Sequence, residues 1–327
     1  MIIVTGGAGF IGSNIVAALN DARIDVVVCD RLRDTDKWRN LSKRVLQALI
    51  APQNLFAYLE REKPSVEAIV HMGAISATTV TDGDLVAETN FELSRALWRW
   101  CTEHNVPFIY ASSAATYGNG EQGFNDAHTA EHLATLRPLN LYGWSKHLFD
   151  QFVASTLEHG RPTPPQFAGL KFFNVYGPNE QHKGSMKSVV AHLFPSVRDG
   201  HRAKLFRSYH DDYRDGGQLR DFVYVRDCAA VVTWLLNNPS VSGVFNVGTG
   251  QARSFADLAA ATMHAAGHEP AIDFIDMPEL LKDKYQYYTC ADMERLRRAG
   301  YNAPFTELSQ GVYEYVTQFL LNPDPYR

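Results

Sequence analysis

Cysteine is scarce in this 327-residue chain, and Cys29, Cys101, Cys228 and Cys290 lie far apart along it. Without a CxxC pair or a Cys/His cluster, neither a zinc site nor a disulfide framework is expected, and the thiols are expected to be reduced and buried. Basic excess is also lacking. The 31 Lys and Arg face 36 Asp and Glu, for a net charge of -5, which argues against nucleic acid or an anionic membrane as partner. No apolar run approaches the ~18 residues of a membrane span, and no charged leader precedes the first apolar run at Ile2. A cytoplasmic protein is therefore expected. Internal repeats, low-complexity tracts and linkers are missing too, which excludes repeat architectures and beads on a string. What remains, 45% hydrophobic and 20% charged, is ordinary globular composition. The length suffices for one large domain or two small ones with a sizeable core.

Apolar runs alternate with helical spacing. Ile2 to Thr5, Val26 to Asp30, Ala68 to His71, Pro107 to Ser112 and Gln166 to Phe173 read as strands. Ile11 to Ala22, Asp84 to His104 and Leu141 to Leu157 read as helices. Strands that are apolar throughout predict a parallel sheet covered on both faces. After Asn174 the rhythm changes. Ser185 to Arg198 reads as a helix that Pro195 bends or ends, and the polar Ser208 to Gln218 as a mobile loop. Helices over Asp227 to Asn237 and Ser254 to Ala266 follow, with strands at Val244 to Val247 and near Ile272 to Ile275. The second half is expected to pack on the first as a lid.

Gly6, Gly9 and Gly12 stand between the first strand and the first helix. Glycines there let the backbone approach a pyrophosphate, and the helix N-terminus supplies N–H groups and partial positive charge. Asp30 ends the second strand, where an acid can hold ribose hydroxyls and would favour NAD. Arg31, Arg33, Lys37 and Arg39 follow at once and suit the 2′-phosphate of NADP. The residues leave that choice open. Tyr142 and Lys146 are one helical turn apart. A neighbouring ammonium and a positive nicotinamide would stabilise the phenolate, lowering the tyrosine pKa so that it can take a hydroxyl proton. Ser113, at a strand end, can hydrogen-bond the reacting oxygen.

This order of glycine loop, strand-end serine and Tyr-x3-Lys resembles the extended short-chain dehydrogenase/reductase superfamily, nearly end to end. That resemblance implies a Rossmann doubly wound parallel sheet with a smaller C-terminal α/β substrate domain. The implied division is residues 1–173 plus about 222–265, against about 174–221 plus 266–327. Met1 to Val16, Tyr110 to Gly118, Pro138 to Lys146, Phe172 to Met186, Leu219 to Val225, Lys284 to Met293 and Leu296 to Tyr301 are similar to the ADP-L-glycero-D-manno-heptose 6-epimerase family. That family inverts C6 of a nucleotide-activated heptose through a 6-keto intermediate. The resemblance makes Lys183 a second base beside Tyr142, because the hydroxyl lies in a different place in each epimer and one group cannot reach both. It also implies cofactor contacts from Phe10, Ile11, Asp30, Arg31, Lys37, Met72, Gly73, Ala74, Ile75, Ser76, Asn90, Lys146, Val175 and Lys183. Contacts with the ADP-sugar are implied for Ser113, Asn174, Ser185, His192, Phe206, Arg207, Ser208, Tyr209, Arg220 and Tyr285. Arg220 suits a diphosphate, since guanidinium matches phosphate oxygens in pairs. A homo-oligomer, pentameric in that family, and a role in lipopolysaccharide core synthesis are implied as well.

The chain departs from that family in three places. Arg31 stands where the family has Asn, Pro52 stands near the place of an acid by the adenine, and Ser208 to Gln218 is longer. Among rivals, a sugar 4,6-dehydratase needs an Asp-Glu pair where Ala114 and Ala115 stand. A UDP-hexose 4-epimerase differs only in the Lys183 region and the C-terminal strings. A non-catalytic nucleotide-binding module would not need Ser113, Tyr142 and Lys146 together.

Overall fold

The computed structural model describes residues 1–279 and 285–327. Along the chain run β1 (Ile2–Thr5), α1 (Phe10–Asp21), β2 (Val26–Cys29), β3 (Ala48–Ile50), α2 (Leu55–Glu62), β4 (Ala68–His71), α3 (Gly83–Val86) and α4 (Leu93–Glu103). Next come β5 (Phe108–Ser113), α5 (Ala130–Thr135), α6 (Leu141–Glu158), β6 (Phe167–Phe172), β7 (Asn174–Tyr176), α7 (Val189–Arg198), β8 (Ala203–Phe206), β9 (Leu219–Tyr224), α8 (Val225–Leu236), β10 (Gly243–Val247), β11 (Ala252–Ser254), α9 (Phe255–Ala265) and β12 (Ile272–Ile275). Two further helices are Glu294–Arg298 and Leu308–Tyr315.

Seven parallel strands form one sheet in the order β10-β6-β5-β4-β1-β2-β3. The order reverses at β1/β4, the switch point where a crevice opens at the carboxyl ends of the strands. β1, β2, β4 and β6 are buried at every position, as a sheet covered on both faces requires. One apolar core lies between the sheet and α1 and α8, and another between the sheet and α2, α4 and α6. Trp98 sits in the second against Phe108, Phe149 and Phe152.

The smaller part is two short sheets. β9 pairs with β7 in parallel and with β11 antiparallel, and β8 pairs with β12 in parallel. The expected boundary near residue 265 assigns α9 to the larger part, yet α9 packs on α7, β8 and the helix Leu308–Tyr315.

Local structure departs from the periodicity in instructive ways. The helix expected from Ser185 begins at Val189, capped by the Ser188 hydroxyl, and Pro195 is accommodated inside it. The residues before it form a short 3-10 turn, Gln181–Met186, in which Gly184 takes φ 56°. The long helix expected from Asp84 contains a π-helical segment, Ala87–Glu92, which carries the buried Asn90. Short β3 and β11 have no clear sequence signature. Ser208 to Gln218, expected to be mobile, is tied at many points: Ser208 N donates to Asp215 Oδ1 (2.8 Å), Tyr209 N to the Tyr287 hydroxyl (3.0 Å) and Ala256 N to Gly216 O (2.9 Å).

Candidate active site

The glycine loop is shaped by close backbone packing. Gly6 has φ 66°, and a Cβ there would lie 2.6 Å from Gly73 N, so the loop and the segment after β4 are pressed together. A Cβ on Gly12 would meet the Gly6 carbonyl oxygen. Gly9 is the N-cap of α1 and has no side chain to cap the first turn, which leaves N–H groups for an anion. This backbone-lined cradle fits a dinucleotide pyrophosphate.

Both carboxylate oxygens of Asp30 are engaged by the protein. Oδ2 accepts from Ala8 N (2.9 Å), while Oδ1 accepts from Arg31 N (2.7 Å) and Lys37 Nζ (2.5 Å). Arg31 itself is exposed. On the other side of the cradle, Met72, Gly73, Ala74, Ile75 and Ser76 run out of β4. The Asn90 amide clasps Ile75 through its N–H (2.8 Å) and carbonyl (3.0 Å), and reaches Ser145 Oγ (2.9 Å). The π-helical segment thus joins the loop after β4 to the helix bearing Tyr142, a use typical of such distortions.

Ser113 ends β5 and accepts from Ala115 N (3.1 Å). The Tyr142 side chain lies within hydrogen-bonding reach of it. Burial raises the Tyr142 pKa, and the Ser113 hydroxyl acts against that rise. The lowering is expected from Lys146 and a positive nicotinamide together; burial in the protein acts in the opposite direction. Burial pushes Lys146 down to about 8, with Asp150 opposing. His71 is fully buried between Thr5 Oγ1 (2.6 Å) and Ser94 Oγ (2.9 Å) and is held down to about 3 by burial and then by Lys146.

Lys183 is held at the glycine loop. Its ammonium sits 5.1 Å from the centroid of the Phe10 ring at the start of α1, with Ile11 beside it. Burial lowers its pKa and Glu180 raises it. Glu180, itself buried, accepts from Ser188 N (2.5 Å) and Ser188 Oγ (2.6 Å) and so holds the turn that presents Lys183. Asn40, missed in the sequence, ties the same turn to the glycine loop: its amide donates to Ala8 O (2.8 Å) and Asn179 O (3.1 Å). Only its complete burial, a tertiary property, marks it.

The remaining expected residues fall into two sets. Arg220 is buried beneath Tyr285 (5.4 Å) and beside Phe255 (5.5 Å), and its guanidinium donates to the carbonyls of Leu219 and Gln286. Tyr285 stacks edge-on to Tyr287 (5.3 Å), which also meets Tyr213 (5.4 Å) and His210 (5.1 Å) and receives Tyr209 N–H. Phe206 to Tyr209 therefore run from the end of β8 into this aromatic group. Tyr213, Tyr287 and His210 were missed, since scattered aromatics read as surface without the fold. Others stand apart. Arg207 turns to Asp276 (3.7 Å), and the exposed His192 ring bonds Ser185 O (3.1 Å). Asn174 meets Thr289 Oγ1 (3.3 Å), and Val175 is half-buried on β7. Of the strings quoted above, only Lys284 lies outside the described residues.

Residues 2–248 match the family model described as "NAD dependent epimerase/dehydratase family". The chain belongs to that family. The cofactor that the cradle accommodates is accordingly a nicotinamide dinucleotide. An ADP-L-glycero-D-manno-heptose-6-epimerase of Nitratidesulfovibrio vulgaris (strain DP4) is 50% identical over 329 residues, with all of both chains covered. The Helicobacter pylori enzyme of the same name superposes with a TM-score of 0.79 at 30% identity, covering 97% of this chain and 95% of that one. Thermus thermophilus UDP-glucose 4-epimerase in complex with NAD gives 0.72 at 25% identity, covering 95% and 96%. Among the described residues, no helix is long and apolar enough to cross a membrane, and no group of His, Cys, Asp and Glu could hold a metal ion.

Proposed function

We propose that this protein interconverts ADP-D-glycero-D-manno-heptose and ADP-L-glycero-D-manno-heptose at C6, for lipopolysaccharide core synthesis. The observation that carries the reading is a half-buried lysine, Lys183, whose ammonium is held over the Phe10 ring where the glycine loop enters α1. The glycine loop and the segment Met72 to Ser76, clasped by Asn90, would hold the nicotinamide dinucleotide, which would supply reversible hydride transfer at C6. Tyr142 accepts the hydroxyl proton of one epimer while Ser113 bonds the same oxygen. Lys146 keeps positive charge beside the phenolate. After the keto sugar turns, its oxygen lies elsewhere, and Lys183, with its pKa lowered by burial, exchanges the proton there. Arg220, desolvated and framed by aromatic rings, binds the diphosphate.

Lys37 held on Asp30, with Arg31 next to it, supports NADP over NAD, since both Asp30 oxygens are already engaged while two cations stand at the ribose. Assembly as a homo-oligomer, pentameric by resemblance, completes the reading and is checked by sedimentation. The decisive experiment follows the C6 proton of ADP-D-glycero-D-manno-heptose by NMR. Appearance of the L-glycero epimer without net consumption of added cofactor is the expected result. No conversion by protein carrying bound cofactor would move the substrate to another nucleotide sugar.

A further inference from the structure

Behind Ser113 and Lys146 lies an ion pair that the chemistry above does not use. Lys171 on β6 and Asp150 on α6 meet at 2.6 Å and are 1% and 0% exposed. Desolvating two charges costs about as much as their attraction returns, and apolar residues of similar volume often serve stability as well or better. The pair's bonds suggest a different reason for its presence. Asp150 Oδ2 also accepts from Ser112 Oγ (2.9 Å). Lys171 Nζ also donates to Thr116 Oγ1 (2.7 Å), which donates in turn to Ser113 O (2.9 Å). The chain is therefore gripped on both sides of Ser113. The other end of the grip is α6, where Asp150 lies one turn beyond Lys146 and two beyond Tyr142.

We propose that the Asp150–Lys171 pair is a positioning device, which clamps the Ser113 strand end to the helix bearing Tyr142 and Lys146 and sets the net charge that the Lys146 ammonium meets. The inference rests on the reading that Ser113, Tyr142 and Lys146 carry the proton chemistry.

Asp150 favours the charged form of Lys146, and the Lys171 ammonium is paired with that same carboxylate at 2.6 Å. Tyr110 and Tyr117 lie beside Asp150, with the Tyr117 ring 4.9 Å from the Lys171 ammonium, and buried Asp126, raised to about 6 by burial, faces Tyr117 and pairs with Arg295. His71 faces Lys146 from β4. His128 and Arg137 from the segment after β5, His147 on α6 and Arg295 on the helix Glu294–Arg298 surround the pair. Burial holds His128 down to about 4 and lowers His147, so the three histidines stay neutral at working pH. Asp150 is then the charge that acts on Lys146 and Lys171 the cation paired with it, with Arg137 and the Arg295–Asp126 pair beyond them.

The test is the pH profile of epimerisation by Asp150→Asn and Lys171→Gln, each keeping hydrogen-bonding capacity and losing charge. In Asp150→Asn the alkaline limb of kcat/KM moves down by about one pH unit; in Lys171→Gln it moves up by a similar amount. In both, kcat falls about tenfold while KM changes less than about twofold. Opposite shifts are a signature that simple loosening of the fold cannot produce. Thr116→Val keeps the pair and severs only the link to Ser113, so it lowers kcat without moving the limb. It carries the clamp half of the test if a charge variant does not fold. Folded charge variants with the wild-type profile, or with both limbs moving the same way, overturn the proposal. Tyr142→Phe is run in parallel: wild-type turnover there would sink the underlying reading, whereas an inactive Tyr142→Phe beside unshifted charge variants sinks this inference alone.

Discussion

The cofactor side and the substrate side of the cleft are built on different principles. The cofactor side is backbone. Gly6 against Gly73, Gly12 under the Gly6 carbonyl and Ala8 between Asp30 and Asn40 leave no room for added atoms. The proposed substrate side is side chains drawn from three distant segments. Arg220, Tyr285 and Tyr287, and the loop bearing Tyr209, His210 and Tyr213 meet through ring contacts and a few hydrogen bonds. A backbone cradle tolerates almost no substitution but binds whatever carries a pyrophosphate. A cluster of side chains can be altered one at a time.

The strongest way to break this contrast is Gly12→Ala. Its Cβ would meet the Gly6 carbonyl, so bound nicotinamide is expected to be lost and the fold destabilised by about 1–3 kcal/mol. Cofactor content after purification and thermal unfolding check both parts; full cofactor occupancy would show that the cradle yields. Arg220→Ala comes next. On the proposed diphosphate role, removing this charged donor is expected to cost about 1.5–3 kcal/mol of substrate binding, read as a KM rise of about tenfold or more with cofactor content unchanged. A loss of cofactor instead would mean that the two sides are not separable.

The pH dependence sharpens the cofactor side. With Lys146 lowered to about 8, its ammonium is present below that pH and lost above it. kcat/KM is therefore expected to fall above about pH 8, and a profile flat to pH 9.5 would show that the charge is not needed. The smallest effect is expected from Tyr213→Phe. It keeps the ring against Tyr287 and loses only a hydroxyl near Arg220, so KM rises about twofold to fivefold and stability hardly moves. An unchanged KM would leave Tyr213 as wall rather than contact.

Much of the cofactor side was legible in the sequence, because the motif and the site are the same residues. Apolar runs such as Ile2 to Thr5 and Val26 to Cys29 became central strands at nearly the expected bounds, since burial on both faces leaves a continuous apolar signal. Ser113, Tyr142 and Lys146 carry a spacing that a strand end and a helix turn convert directly into proximity. Short β3 and β11 were illegible, since three-residue strands owe their existence to a neighbour's hydrogen bonds. The contacts of the loop Ser208 to Gln218 were illegible for a related reason. Its polar composition predicts mobility, whereas Tyr287, some seventy residues later, and α9 hold it in place.

By itself, then, the sequence determined what is local. The glycine cradle, the buried strands and the Tyr-x3-Lys turn depend on residues within one element or one loop, where spacing alone sets geometry. Tertiary structure decided everything that depends on meeting across the chain: Lys183 over Phe10, Asn40 between two loops, the aromatic group at Arg220 and the Asp150–Lys171 grip on Ser113. It also decided the direction of the Tyr142 pKa, because desolvation is a property of the surroundings and no pair of neighbouring letters records it.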